Sequence, residues 1–198
     1  PTEVPPPHTA IDGSISPGQV FEEGLPNGSS GWTPAEIATE GTITVSDADG
    51  LTDIASLSIG GIVFTIGAGG FASLAGIVGQ TIPGAHGTLY ITGYDGNGVF
   101  TYRYELAEAT TQGLNDSDAF AVVVSDISGT SASGTIDIAI IDDVPSISVS
   151  QEGSEGLAID ESYLPNGSES GAEATSKSAD FSGVFESVEG ADTATIAY

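Results

Sequence analysis

The chain has 198 residues, and its 28 acidic against 2 basic side chains give a formal net charge of −26. So acidic a surface is repelled by nucleic acid and by anionic membranes, which argues against both as partners and leaves cations. Cysteine is absent and glycine is abundant, a composition that fits a β-rich, exported bacterial protein without disulfides.

The hydropathy of the chain and its first residues indicate whether it contains a membrane span or a signal peptide. No apolar run approaches the roughly 18 residues of a membrane span, so we expect no direct membrane insertion. Residue 1 does not begin a signal peptide. We therefore expect the chain to be a segment of a longer exported protein.

The chain is predicted to open with a linker and to continue into one complete domain. Prolines recur through residues 1–19 among few apolar side chains, which is typical of an extended linker. The complete domain is predicted over residues 20–145. Near its start, Glu22 precedes a turn at Pro26-Asn27-Gly28.

Short alternating segments follow in the first half of this domain. Residues 41–46 are predicted to form a strand that runs into an acidic stretch at 47–50. Two more strands are predicted at 54–59 and 61–66, around a pair of glycines that favours a tight turn. The Gly-rich segment 67–87 has weak periodicity and is predicted to be an irregular loop.

The second half contains the clearest hairpins. Residues 87–93 and 99–106 flank a turn in which Asp95 and Asn97 are interpreted as turn formers rather than as ligands. After an acidic loop at 107–118, two runs rich in Val and Ile predict the strands 119–124 and 135–141. Strands at this spacing, without a helical pattern, predict an all-β antiparallel sandwich.

The chain also repeats its own beginning with a period of about 140 residues. Leu25-Pro26-Asn27-Gly28 recurs as Leu164-Pro165-Asn166-Gly167, an offset of 164 − 25 = 139 that aligns Glu161 with Glu22. Val144-Pro145 repeats Val4-Pro5, and Ala191-Asp192 repeats Ala48-Asp49. Residues 146–198 are therefore predicted to be the opening strands of a second, incomplete copy, too short to bury much core alone.

The strand at 135–141 ends on two adjacent carboxylates, Asp142 and Asp143. Such a pair repels itself unless a cation or a helix terminus lies between its members, and Pro145 stiffens the exit. Calcium binds about 6 to 8 oxygen ligands from carboxylates, carbonyls and water. The ending therefore predicts a calcium (Ca2+) site at a domain boundary.

These motifs resemble those of a known group of repeats. The segments 126–129 and 135–145 are similar to the end of VCBS and cadherin-like repeats, whose last strand enters an Asp-rich linker that binds calcium. Gly87-Thr88-Leu89, with the hairpin through Tyr102, resembles the hairpin of VCBS units. Glu22 before Leu-Pro-Asn-Gly resembles the opening of tandem repeats in giant LapA-like (RTX) bacterial adhesins exported by type I secretion.

The resemblance implies an Ig-like or cadherin-like antiparallel β-sandwich with Greek-key connections. It implies a non-enzymatic, calcium-stabilised structural extender module of a large adhesin that serves cell adhesion and biofilm formation. Its partners would be calcium and neighbouring repeats of the same chain, while other domains bind the target surface. It would be extracellular, tethered at the outer membrane of a bacterial cell.

By the same analogy, carboxylates from neighbouring units meet at the junction near residue 145. The candidates there are Glu22, Asp126, Asp142 and Asp143 from the first unit, and Glu161 and Asp192 from the second. A second candidate group is Asp47, Asp49 and Asp53. It is not an EF-hand, because the twelfth position from Asp47 is Ser58 rather than a bidentate Glu. For both groups the alternative is that they are solvated loop acids.

Other functions remain open from the sequence. In a ligand-binding module of the same kind of adhesin, the 67–87 segment or the aromatic residues Trp32 and Tyr163 would hold a glycan or a peptide. An enzyme has little support, since Gly-x-Ser-x-Gly and nucleotide-binding glycine motifs are absent, although a carboxylate pair could hydrolyse a glycoside. The acidity could also reflect adaptation to high salt.

Overall fold

The computed structural model describes residues 18–47, 50–66, 75–111, 116–149, 159–169 and 184–192, and the backbone of Thr9–Ala10. These residues fall into two compact units. The first comprises the described residues up to Val144 together with 189–192, and the second those from Pro145 to Val188.

One sheet of the first unit has five strands in the order β2-β11-β10-β5-β6. All neighbours are antiparallel except β2, which runs parallel to β11 with Phe21 opposite Ile141. The strands are β2 (Gly18–Phe21), β5 (Ile54–Ile59), β6 (Ile62–Thr65), β10 (Asp116–Asp126) and β11 (Ser131–Ile141).

The other sheet has four antiparallel strands in the order β3-β9-β8-β7. They are β3 (Ala38–Thr44), β9 (Val99–Leu106), β8 (Gly87–Tyr94) and β7 (Thr81–Pro83). A short ribbon joins β1 (Thr9–Ala10) to β4 (Ser46–Asp47).

The alternation of side chains along the strands explains why the two sheets share one core. From Asp118 on β10 and from Ile136 on β11 every second side chain is buried, and the buried set is apolar apart from the two acids Asp118 and Asp126. One hydrophobic cluster draws on both sheets; its largest members are Phe100, Tyr102, Tyr104, Phe120 and Ile43. An all-β sandwich is therefore what the structure shows.

Two tight turns join neighbouring strands, and each contains glycines with positive φ. Gly60 and Gly61, at φ +57° and +84°, join β5 to β6 as their pairing predicts. In the β8–β9 turn the Asp95 carboxylate accepts hydrogen bonds from the backbone N–H groups of Asn97 and Val99, at 2.7 and 3.0 Å. This geometry agrees with the interpretation of Asp95 as a turn former.

Three sequence boundaries differ from the prediction. The described part of 67–87 is not wholly irregular, since Thr81–Pro83 forms an edge strand and 75–77 a 3₁₀ turn, while 67–74 lies outside the described residues. The strand after the predicted acidic loop already begins at Asp116. Gly18 and Gln19, predicted to end the linker, pair with β11 as part of β2.

The second unit contains little regular structure among its described residues. The strands β12 (Ser146–Val149) and β13 (Phe185–Val188) pair antiparallel, and a 3₁₀ turn covers Glu161–Tyr163. Large apolar side chains of this unit are exposed, namely Ile147, Val149, Ile159, Leu164, Phe185 and Val188. Residues 189–192, predicted to belong to the second copy, group instead with the first unit, where Ala191 joins the core.

Among the described residues, helical structure is limited to short 3₁₀ turns, and none of it is long and apolar enough to cross a membrane.

Candidate metal centre

The parallel pairing of β2 and β11 brings two acidic side chains together. Phe21 and Ile141 are the last paired residues, so Glu22 and Asp142 follow at the same edge of the sheet. Because parallel strands end side by side, residues 120 positions apart emerge as neighbours. This edge of the sheet therefore supplies two of the three carboxylates of the site.

Asp192 completes the cluster. It follows Ala191, which is 8% exposed and packs in the core of the first unit. Glu22, Asp142 and Asp192 each offer one carboxylate oxygen such that all three oxygens lie within 4.8 Å of one another. Glu22 is fully buried, and the other two side chains are partly buried.

Glu22 is held in place by hydrogen-bond donors. Its Oε1 accepts from the backbone N–H and from the Oγ1 hydroxyl of Thr110, both at 2.7 Å. The N–H of Asp143 lies 3.5 Å from Oε2, a long contact at the limit of hydrogen bonding. These hydrogen bonds hold the Glu22 side chain in one position beside the end of β11.

Asp143 lies beside the cluster and is engaged elsewhere. Its Oδ2 accepts from the backbone N–H of Ser29 at 2.7 Å, and its Oδ1 accepts from the Ser29 hydroxyl at 2.6 Å. Both oxygens therefore bind the turn that follows Glu22. We assign Asp143 to positioning the strand end rather than to the three-carboxylate group.

Asp192 is the least compensated member. Both of its side-chain oxygens are buried without a hydrogen-bond partner among the described residues. Burial raises the pKa of the Asp192 carboxyl above its ordinary value, and the negative charges of Glu22, Asp142 and Asp143 raise it further. Such a group requires either a proton or a nearby cation.

The basic side chains that the structure describes supply no such cation. Arg103 is paired with Glu105 at 2.6 Å on β9, and the chain's other basic residue, Lys177, lies outside the described residues. Two oxygens bound to one calcium lie at most about 5 Å apart, twice a Ca–O distance of about 2.5 Å. The 4.8 Å limit within the cluster satisfies that condition. The donor set, all carboxylate oxygen, suits a hard cation such as calcium.

The other predicted ligands lie elsewhere. β10 begins at Asp116, which pairs with Ile140 beside the cluster, and it ends at Asp126. The ten residue steps between its ends span about 33 Å, so Asp126 lies about that far from the cluster. The structure therefore does not bring Asp126 to the cluster. Asp47 lies on β4, beyond the far end of β3, and Asp49 is outside the described residues. Glu161 is an exposed residue of the second unit.

Asp126 has a local role of its own. Its Oδ1 accepts from the Ser128 hydroxyl and the Thr130 N–H, both at 2.8 Å, across the β10–β11 turn. Burial raises its pKa, but the hydrogen bonds from Ser128, Thr130 and Gly129 outweigh that effect and lower the pKa overall. These contacts make Asp126 a turn-closing carboxylate.

Sequence reasoning missed two contributors to the cluster's setting. Thr110 lies 88 positions from Glu22, and no local pattern signals their contact. Ser29 could have been found, since it follows Leu-Pro-Asn-Gly and recurs as Ser168 in the second copy. A repeated serine beside a repeated turn indicates a repeated contact.

The fold and the cluster define an acidic all-β sandwich domain with a three-carboxylate centre at the edge where β2 and β11 end. No protein-family model matches the chain, and no curated protein is significantly similar to it in sequence.

Proposed function

We propose that the chain is a calcium-stabilised structural extender module of a large bacterial cell-surface adhesin, and that it is not an enzyme. The observation that carries the proposal is the convergence of Glu22, Asp142 and Asp192 to within 4.8 Å. A cation among these carboxylates offsets their mutual repulsion and the uncompensated burial of Asp192.

The position of the cluster supports a mechanical role. The chain leaves the first unit after Val144 and re-enters it at Glu189, so Asp142 and Asp192 lie within a few residues of the two crossing points. A bound cation holds these two segments to each other and to Glu22. Calcium therefore holds together the two segments of the first unit that flank the second unit in sequence, and a stiff spacer requires restraints of this kind.

The finer fold assignment belongs to the same proposal. We place the sandwich in the Ig-like or cadherin-like class with Greek-key connections, as the resemblance of its motifs implies. Its partners are neighbouring repeats of the same chain and calcium, while other domains of the adhesin bind the target. The module then operates outside the cell, tethered at the bacterial outer membrane, in adhesion and biofilm formation.

Chelation tests the proposal directly. Extracellular modules bind calcium with Kd values of about 10⁻⁴ to 10⁻³ M, so the chain is expected to be loaded in calcium-rich external fluids. Removing calcium with EDTA should lower the melting temperature and broaden the distribution of maximum dimensions in small-angle scattering. Unchanged melting and scattering would refute calcium stiffening.

One observation favours a second candidate, a glycan- or peptide-binding module. Trp32 is 58% exposed, in the segment that leads from the first turn toward β3. Exposed indole rings can stack on sugars and pack against peptide side chains. A glycan array with a reproducible hit that Trp32→Ala abolishes would favour this candidate over a spacer.

A further inference from the structure

The second Leu-Pro-Asn-Gly turn reproduces the first at the level of individual hydrogen bonds. Each turn follows a 3₁₀ turn that starts at a glutamate, Glu22 in one and Glu161 in the other. Three backbone hydrogen bonds of the first turn recur in the second at matching positions. Their donors, at 2.7–3.1 Å, are Leu25, Gly28 and Ser30 in the first turn and Leu164, Gly167 and Glu169 in the second.

The first turn binds a strand end. The Ser29 N–H and hydroxyl both donate to Asp143, the second residue after β11. Beside this contact β11 pairs with β2, so that Val20 and Leu25 are 0% and 5% exposed. Hydrogen bonds to the carboxylate and burial of the apolar pair together dock the end of β11.

In the second turn the corresponding apolar side chains are not covered by a strand. Ile159 and Leu164, the counterparts of Val20 and Leu25, are 60% and 49% exposed. Ser29 and its counterpart Ser168 are both exposed, so the difference between the two turns lies in the apolar pair. A pocket lies over this turn, lined by Glu161, Ser162 and residues 164–168.

We propose that the turn at 159–169 is a docking site for a β-strand end that carries two adjacent aspartates, bound as the first turn binds the end of β11. The proposal goes beyond the calcium function, because it rests on the hydrogen bonds and burial seen at the first turn. The Ser168 N–H and hydroxyl donate to the second aspartate, and alternating apolar side chains of the strand cover Ile159 and Leu164.

The backbone of the second turn is built for this geometry. A Cβ at Gly167 would lie 1.8 Å from the Ser162 carbonyl oxygen, and a Cβ at Gly28 would lie 2.3 Å from that of Glu23. Only glycine therefore allows the chain to fold back so that the next residue, a serine in both turns, presents its N–H and hydroxyl together. The site selects a carboxylate because two donors converge on one acceptor group.

The test uses the full chain, labelled with ¹⁵N, and a synthetic peptide of residues 131–145 as the strand end. In buffer that contains calcium, the Ser168 amide resonance should shift and saturate as peptide is added, while the Ser29 amide should not move. A peptide with Asp143→Asn should bind about tenfold more weakly, since a charged acceptor becomes a neutral one. In the protein, Ser168→Ala should weaken binding, and Ser187→Ala, at an exposed serine of β13, is the matched control.

Several results would overturn the proposal. Absence of any Ser168 shift at millimolar peptide would do so, as would equal binding of the Asn peptide or of a scrambled peptide. A shift confined to Ser29 would show that the peptide displaces β11 in the first unit instead. Because the peptide variants leave the protein unchanged, the test does not depend on whether Ser168→Ala folds.

Discussion

Asp192 combines burial, three neighbouring negative charges and the absence of a hydrogen-bond donor among the described residues. Its raised pKa means that the folded, metal-free protein binds a proton there more tightly than the unfolded chain, whose Asp has a pKa of about 3.9. Lowering the pH therefore stabilises the metal-free protein through this group, and raising the pH through the folded pKa removes that contribution.

The substitution Asp192→Asn separates two effects of this charge: it destabilises the metal-free fold, and it binds calcium. In EDTA at neutral pH the variant should melt at a higher temperature than the wild type, and the gap should close as the pH falls toward 4. In saturating calcium the order should reverse, because the variant lacks a ligand. Thermal melts across this pH range provide the measurement.

The matched control is Asp137→Asn, which makes the same charge change on an exposed position of β11. It should melt like the wild type in both conditions. Identical behaviour of the two variants would contradict a special role for Asp192.

Another buried carboxylate, Asp118, has hydrogen-bond donors enough without a metal. It accepts hydrogen bonds from the N–H groups of Ala85, His86 and Gly87, at 2.8–3.2 Å, and from the Tyr104 hydroxyl at 2.7 Å. Burial, together with the hydrogen bond to Asp118 and its charge, raises the pKa of Tyr104, so the phenol stays protonated as a donor. Asp118 thereby fixes the loop between β7 and β8.

Replacing Asp118 by Asn should destabilise the fold by about 2–3 kcal/mol, because the amide N–H₂ would face donors instead of accepting from them. Calcium affinity should be unaffected, since Asp118 is not among the clustered carboxylates. Urea unfolding in calcium and in EDTA would show the same loss in both. A loss seen only in calcium would contradict this assignment.

At the scale of elements, the turn after Glu22 connects the end of β2 to the end of β11. Gly28 allows the turn to close, and Ser29 then binds Asp143. This turn sets Glu22 and the end of β11 in register. Its geometry should therefore control both stability and calcium binding.

Gly28→Ala tests this coupling, because its new Cβ would meet the Glu23 carbonyl oxygen at 2.3 Å. We expect a loss of about 1–3 kcal/mol from overpacking, together with weaker calcium binding. The control is Gly76→Ala, since no atom lies within 4 Å of a Cβ there. Calcium binding by Gly28→Ala equal to that of the control would show that the turn does not shape the site.

The strands also show which parts of the fold could be predicted from the sequence. Alternation and tight-turn residues predicted β5, β6, β8 and β9 with small boundary errors, because both signals are local. The pairing of β2 with β11 was not predicted, since Gly18 and Gln19 continue a Pro-rich segment with no apolar period. The resemblance placed Glu22, Asp142 and Asp192 at one junction, but it did not predict the strand pairing that brings Glu22 beside Asp142.

At the scale of the whole molecule, the charge of −26 opposes compaction, and the metal centre is one place where it can be offset. The repeat predicted from sequence has a structural counterpart in the two matching turns. The resemblance supplies residue types but no strand direction, so it could not show that β10 runs from the cluster toward Asp126 at its other end.

Calcium stoichiometry tests the central claim most directly. Protein stripped with EDTA is dialysed to equilibrium against calcium, and the bound ions per chain are counted for the wild type, Asp192→Asn and Asp137→Asn. We predict that Asp192→Asn binds one ion fewer than the wild type and that Asp137→Asn binds the same number. Equal counts for all three proteins, or no calcium bound by the wild type at millimolar concentration, would contradict the account.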